Sequence, residues 1–228
     1  MRMWGCVLVA ALLAGCNGSA PSPEPTEPPA KASAAVTVEG PERRILAFGD
    51  SLFAGYRLND GEGYPDRLQA ALRARGINAT VIDAGVSGDT SAAALQRVAF
   101  VLDSLAATPD LALVELGGND LLRGISPDET RANLSRILVA LRERDIPVLL
   151  MGMRAPPNLG EAYIAEFDGM YRDLAGRSGA RLVPFFLEPI YDKPALLQLD
   201  HIHPTAGGVD ALVDATVDDV AEALPKAD

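Results

Sequence analysis

Both histidines of this 228-residue chain fall in one segment, Asp200-His201-Ile202-His203-Pro204. Imidazole is the side chain that ordinarily titrates near neutral pH, so it can take a proton from a weak nucleophile and return it later. A carboxylate three residues earlier, here Asp200 before His203, can orient the ring and stabilise its charged form. Two other readings stand beside this one. One is a structural histidine. The other is a metal site, since His201 and His203 share a face of an extended segment next to Asp200. The metal reading lacks a third or fourth strong ligand, because the two cysteines, Cys6 and Cys16, lie in the leader-like start of the chain. The expectation is no metal and no cofactor.

Three more clusters carry groups suited to acyl chemistry. Gly49-Asp50-Ser51-Leu52 places a serine on a turn, where its hydroxyl is exposed and its N–H is free to face a ligand. A plain helix-capping serine fits the same residues. Gly88, in Ala84-Gly85-Val86-Ser87-Gly88-Asp89-Thr90, permits a backbone conformation that turns an N–H outward, while Asp89 or Thr90 is suited to cap the next helix. Gly117-Gly118-Asn119-Asp120 ends an aliphatic run. Asn119 offers an amide donor, and an ionised Asp120 offers none, which makes Asp120 a structural cap rather than a catalyst. A simple chain reversal accounts for the same four residues.

The elements that must hold these clusters alternate strictly. "RILAFGDS", "NATVIDAG", "DLALVELG", "IPVLLMGM" and "ARLVPFF" read as strands, near-continuous in Val, Ile and Leu as expected when both faces are covered. Helical spacing runs through "YPDRLQAALRARG", "SAAALQRVAFVLDSL", "TRANLSRILVALRERD", "EAYIAEFDGMYRDLAGRSG" and "TAGGVDALVDATVDDVAEAL". Ser126-Pro127-Asp128-Glu129 supplies a capping serine, a proline at the first helical position and a glutamate at the third. Strand–helix alternation implies an α/β domain with a parallel sheet and helices on both faces. In such sheets ligands bind beyond the carboxyl ends of the strands, which is where Ser51, Gly88 and Asn119 fall.

"FGDSL" (48–52), "AGVSGDT" (84–90), "LGGND" (116–120) and "DHIHPTAGG" (200–208) together resemble the SGNH, or GDSL, hydrolase family over about Ile45 to Leu224. "GEGYPDRLQAALRARG" (61–76) and "GMRAPPNLG" (152–160) are similar to its bacterial arylesterase, thioesterase I and lysophospholipase L1 subgroup. The resemblance implies a three-layer α/β/α sandwich around a parallel sheet of about five strands, flavodoxin-like. It also implies Ser51 as nucleophile, His203 as base and Asp200 as its orienting acid. The oxyanion hole it implies is built from the N–H groups of Ser51 and Gly88 and the Asn119 amide. Two positions depart from the family pattern: His201 stands where a glycine is usual, and Phe53 where Thr or Ser is frequent. The loop Pro156-Pro157-Asn158-Leu159 is a candidate cover for an acyl chain, and a rigid connector with no substrate contact is the alternative.

The function implied is a serine esterase acting on aryl esters and short-to-medium acyl esters, with acyl thioesters and lysophospholipids as further substrates. A carbohydrate O-deacetylase on the same triad and a non-catalytic ligand-binding lipoprotein are the competing readings.

The start of the chain bears on location. Met1-Arg2-Met3 and the apolar run Val7 to Gly15 have the anatomy of a signal peptide over 1–15. Leu13-Ala14-Gly15-Cys16 resembles the lipobox, which implies lipidation of Cys16 and a membrane anchor. A Pro- and Glu-rich tether, with "PSPEPTEPP", follows over 16–41, and the hydrolase domain over 42–228. The expected location is the periplasm, with the outer membrane favoured because Asn17, not Asp, follows the cysteine. The formal charge of -11 argues against a nucleic-acid partner, which needs a basic footprint. Nothing in the sequence bears on oligomeric state.

Overall fold

The structure, a computed structural model, describes residues 38–226. The expected signal peptide, Cys16 and most of the expected tether lie outside the described residues. Five strands form one sheet: β1 (Arg43–Gly49), β2 (Ala79–Gly85), β3 (Leu111–Glu115), β4 (Val148–Met151) and β5 (Arg181–Val183). Their order is β2-β1-β3-β4-β5, and every pairing is parallel. The chain steps from β1 to β2 on one side and then crosses to β3 on the other. That reversal opens a crevice at the carboxyl ends of β1 and β3.

Six α-helices cover the sheet among the described residues: α1 (Tyr64–Ala74), α2 (Ser91–Ser104), α3 (Gly118–Leu122), α4 (Pro127–Arg142), α5 (Glu161–Ser178) and α6 (Ala206–Ala223). Helices α1 and α6 pack on each other, while α2, α4 and α5 form a row of neighbours. These are the outer layers of the expected sandwich. Ile45, Leu46, Ala47 and Phe48 of β1 are fully buried, as are Leu111 to Val114 of β3, because helices screen both faces.

The local signals operate as their chemistry dictates. The Ser126 hydroxyl accepts the Glu129 N–H at the start of α4. Thr90, not Asp89, caps α2 by accepting the Ala93 N–H, and Thr205 caps α6 through the Gly208 N–H. Two stretches differ from expectation. Residues 118–122 form a short helix rather than a bare turn, and the last strand stops at Val183, so that "PFF" belongs to the following turns. Phe53 is fully buried, stacked on Tyr64 at 5.1 Å and edge-on to Phe186 at 5.9 Å. Its departure from the family pattern is therefore a matter of core packing, not of the substrate surface.

Candidate active site

The sheet register brings the clusters together. Gly49 of β1 pairs with Gly85 of β2 on one side and with Glu115 of β3 on the other. Ser51, Gly88 and Asn119 follow these paired residues by two, three and four positions, so all three emerge at one end of the sheet. His203 arrives from the loop before α6, which Thr205 caps.

The relay is closed by geometry. Ser51 Oγ is 2.9 Å from His203 Nε2, and His203 Nδ1 is 2.9 Å from Asp200 Oδ2. Asp200 is also fixed by its other oxygen, which accepts the N–H groups of Ile202 and His203, both at 3.0 Å. Burial alone would raise the Asp200 carboxyl. The hydrogen bonds from the His203 N–H, the His203 ring and the Ile202 N–H outweigh it and hold the group at about 2. The aspartate is thus an anion throughout the working range and keeps the Nδ1 proton of the imidazole pointed at itself, leaving Nε2 to accept from Ser51. Asp50 Oδ1 also lies near the hydroxyl, at 3.4 Å, too far to compete with the imidazole at 2.9 Å.

Three donors lie at this same end of the sheet. Neither the Ser51 N–H nor the Gly88 N–H reaches a protein acceptor among the described residues. Gly88 adopts φ +86, a left-handed conformation that L side chains rarely take. The Asn119 amide donates one proton to Asp50 Oδ2 at 2.9 Å and has a second N–H to offer. Gly117, at φ +110, turns the chain into α3. A Cβ there would collide with the Tyr171 hydroxyl, which itself donates to the Leu116 carbonyl at 3.0 Å. Asp120 lies fully buried and accepts from the Ser91 N–H at 2.7 Å, from the Ser91 hydroxyl and from Thr130 Oγ1 at 3.2 Å. It caps structure, as its charge predicts.

This arrangement has the chemistry for acyl transfer: a hydroxyl bonded to an imidazole, an imidazole held by a carboxylate, and N–H groups at the neighbouring strand ends. The family model described as "GDSL-like Lipase/Acylhydrolase family" matches residues 47–211. The chain belongs to the GDSL lipase/acylhydrolase family. It is an SGNH esterase, a serine hydrolase of ester bonds. A solved structure of AlinE4, an SGNH-hydrolase family esterase, is 64% identical, with a TM-score of 0.70, and covers 82% of this chain and 100% of that one. An arylesterase of Vibrio mimicus is 40% identical over 161 residues, 71% of this chain and 80% of the relative. The thioesterase 1/protease 1/lysophospholipase L1 of Escherichia coli is 39% identical over 160 residues, 70% of this chain and 74% of the relative.

Several residues of this esterase site carry no obvious sequence signal. The Tyr56 ring lies against His203, with centroids 4.4 Å apart, and its N–H donates to the Ser51 carbonyl at 3.2 Å. Arg123, four residues after Asn119, donates to the Gly88 carbonyl at 2.7 Å and so ties the Gly88 turn to the end of α3. Arg97 binds Asp89 at 2.6 Å and the Gly49 carbonyl at 2.9 Å, and lies 4.3 Å over the Phe48 ring. Glu115 is marked in the sequence only as a lone carboxylate inside the aliphatic run "LALVELG". His201 is exposed and adopts φ +57, which explains why a glycine suits this position. The loop 156–159 carries a single 3-10 turn, Pro157–Leu159, and is exposed along its length. It is pinned by the Ala155 N–H donating to Asp168 at 2.8 Å.

Proposed function

We propose that this esterase cleaves aryl esters, short-to-medium acyl esters and acyl thioesters, lysophospholipids included, by two-step acyl transfer on Ser51. The observation that carries the reading is the unbroken 2.9 Å–2.9 Å relay from Ser51 through His203 to Asp200. His203 Nε2 takes the Ser51 proton as Oγ attacks the carbonyl carbon. The negative charge that develops on the carbonyl oxygen is met by the Ser51 and Gly88 N–H groups and the free N–H of Asn119. His203 then returns the proton to the departing alkoxide, phenoxide or thiolate. Water, deprotonated by the same imidazole, attacks the acyl carbon, the bond to Ser51 Oγ breaks, and His203 returns the proton to Oγ as the acyl group leaves as a carboxylic acid.

Apolar acyl groups are favoured by the residues around the site. Val86, Leu122 and Ile202 are 43%, 63% and 39% exposed, and each lies within three positions of Gly88, Asn119 or His203. Leu159, on the candidate substrate loop, is 41% exposed. The relatives named arylesterase and thioesterase 1/lysophospholipase L1 agree with this substrate class. A panel of p-nitrophenyl esters from two to twelve carbons, with one acyl thioester and one acetylated sugar, tests it. The expected outcome is highest kcat/KM on the acyl and aryl esters. Preference for the acetylated sugar would overturn it. Ser51 should be labelled by a fluorophosphonate, and Ser51→Ala should not.

The same proposal places the enzyme in the periplasm on a lipid anchor. A signal peptide over 1–15, lipidated Cys16 and a tether to about residue 41 would free the domain from the membrane surface while keeping it close. Leu13-Ala14-Gly15-Cys16 supports this reading, and Asn17 favours the outer membrane. Labelled palmitate should be incorporated by the wild type and not by Cys16→Ser.

A further inference from the structure

Beneath the nucleophile two carboxyl groups are buried together. Glu115, the last residue of β3, is fully enclosed, and Asp50 is 2% exposed. The Asp50 N–H donates to Glu115 Oε2 at 3.3 Å. The two are supplied with donors unequally. Asp50 Oδ1 accepts the Leu52 N–H at 3.1 Å, and Oδ2 accepts the Asn119 amide at 2.9 Å. Glu115 Oε1 is buried and meets no partner among the described residues.

Two ionised carboxylates in this position would repel one another, and both would lose their hydration. The donors decide which keeps its charge. Asp50 is stabilised as the anion by Leu52 and Asn119, so Glu115 takes the proton. Burial, followed by the neighbouring Asp50 carboxylate, pushes Glu115 well above the usual glutamate range. Burial raises Asp50 too, against the hydrogen bonds from Leu52, Glu115 and Asn119. A proton turns the Glu115 carboxyl from an acceptor into a donor, and the Asp50 carboxylate is its side-chain hydrogen-bond partner.

We propose that Asp50 and a protonated Glu115 form a one-proton carboxyl pair that positions the Asn119 amide for the oxyanion. Charged Asp50 holds one N–H of Asn119 and thereby aims the other into the crevice before substrate arrives. Neutral Glu115 holds Asp50 in place without adding a second negative charge near the oxyanion. Fixed dipoles of this kind need no reorganisation during the reaction. The proposal rests on the reading of Asn119 as an oxyanion donor. Asp50 and Glu115 are positioning residues, since neither needs to touch substrate.

The test uses the full chain, a p-nitrophenyl butyrate assay and infrared spectroscopy. Asp50→Asn is expected to lower kcat by roughly 10–100-fold with KM within about threefold, as loss of a transition-state interaction requires. Combining it with Asn119→Ala should cost little beyond Asn119→Ala alone, because both act through one amide. Glu115→Gln, which keeps a neutral donor, is expected to recover most of the kcat that Glu115→Ala loses. The wild type should show a protonated-carboxyl C=O absorption at neutral pH that Glu115→Gln lacks, a signature that packing alone does not give. The absence of that band, additive losses in the double variant, or equal damage in Glu115→Gln and Glu115→Ala would each overturn the proposal. If Asp50→Asn does not fold, the band and the Glu115 pair still decide. A normal kcat in Asn119→Ala would instead overturn the oxyanion reading and the positioning role with it, while the band would still report the shared proton.

Discussion

Asp120 in α3 accepts the N–H of Ser91, the first residue of α2, at 2.7 Å across 29 positions of sequence. That bond fastens the segment carrying Gly88 to the segment carrying Asn119. The carboxylate is fully buried and also holds the hydroxyls of Ser91 and Thr130, so its removal leaves several buried polar groups unpaired. Asp120→Ala should therefore lose roughly 3 kcal/mol of stability. Urea unfolding checks this, and a loss below about 1 kcal/mol would deny Asp120 its structural role.

Asn119→Ala removes the side-chain donor while leaving the 2.9 Å Ser51–His203 contact in place. We expect kcat to fall by about 10²–10³-fold, the usual cost of one oxyanion donor, with KM little changed. Steady-state kinetics on p-nitrophenyl butyrate would settle this. A fall expressed mainly in KM would point to ground-state binding instead.

His201 stands at φ +57, where a side chain costs about 1–2 kcal/mol and glycine is relaxed. Glycine also gains freedom in the unfolded chain, which offsets part of that relief. The net expectation for His201→Gly is a gain of roughly 0.5–1 kcal/mol in stability. The Asp200 hydrogen bonds to Ile202 and His203 should be preserved. Thermal unfolding with parallel kinetics tests both halves. A loss of activity would show that the imidazole of His201 touches substrate.

The pH dependence follows from Asp200. Its folded-state value is lowered to about 2, so its contribution to stability is complete above the unfolded value of about 3.9. That contribution is lost progressively as pH falls from about 3.9 to about 2 and is gone below it. The aspartate therefore stays ionised down to about pH 2, and no protonation of Asp200 should appear in the acid limb of kcat/KM above that pH. A profile flat from acid to neutral pH would remove this pair from the mechanism.

Much of the architecture was readable one residue at a time, because it depends on neighbours in sequence. Strand–helix alternation, the Ser126 cap and the turn glycines act over a few residues. The same locality linked Asp200 to His203, three positions apart. Phe53 shows the limit: two residues after Ser51 in sequence, it turns into the core against Tyr64 and Phe186. The short helix at 118–122 carries little helical pattern, because it is five residues long and starts on Gly118 directly after Gly117.

By itself the sequence determined the parallel α/β class, the order of the clusters and the types of group available for acyl transfer. These follow from periodicity, capping chemistry and side-chain pKa, all local properties. Only the tertiary structure decided that Ser51 meets His203 across 152 positions, that Arg123 grips the Gly88 carbonyl and that Asp50 and Glu115 are sealed together. Such contacts depend on strand register and burial. Register sets which residues share the crevice, and burial sets whether two carboxyl groups hold two charges or one.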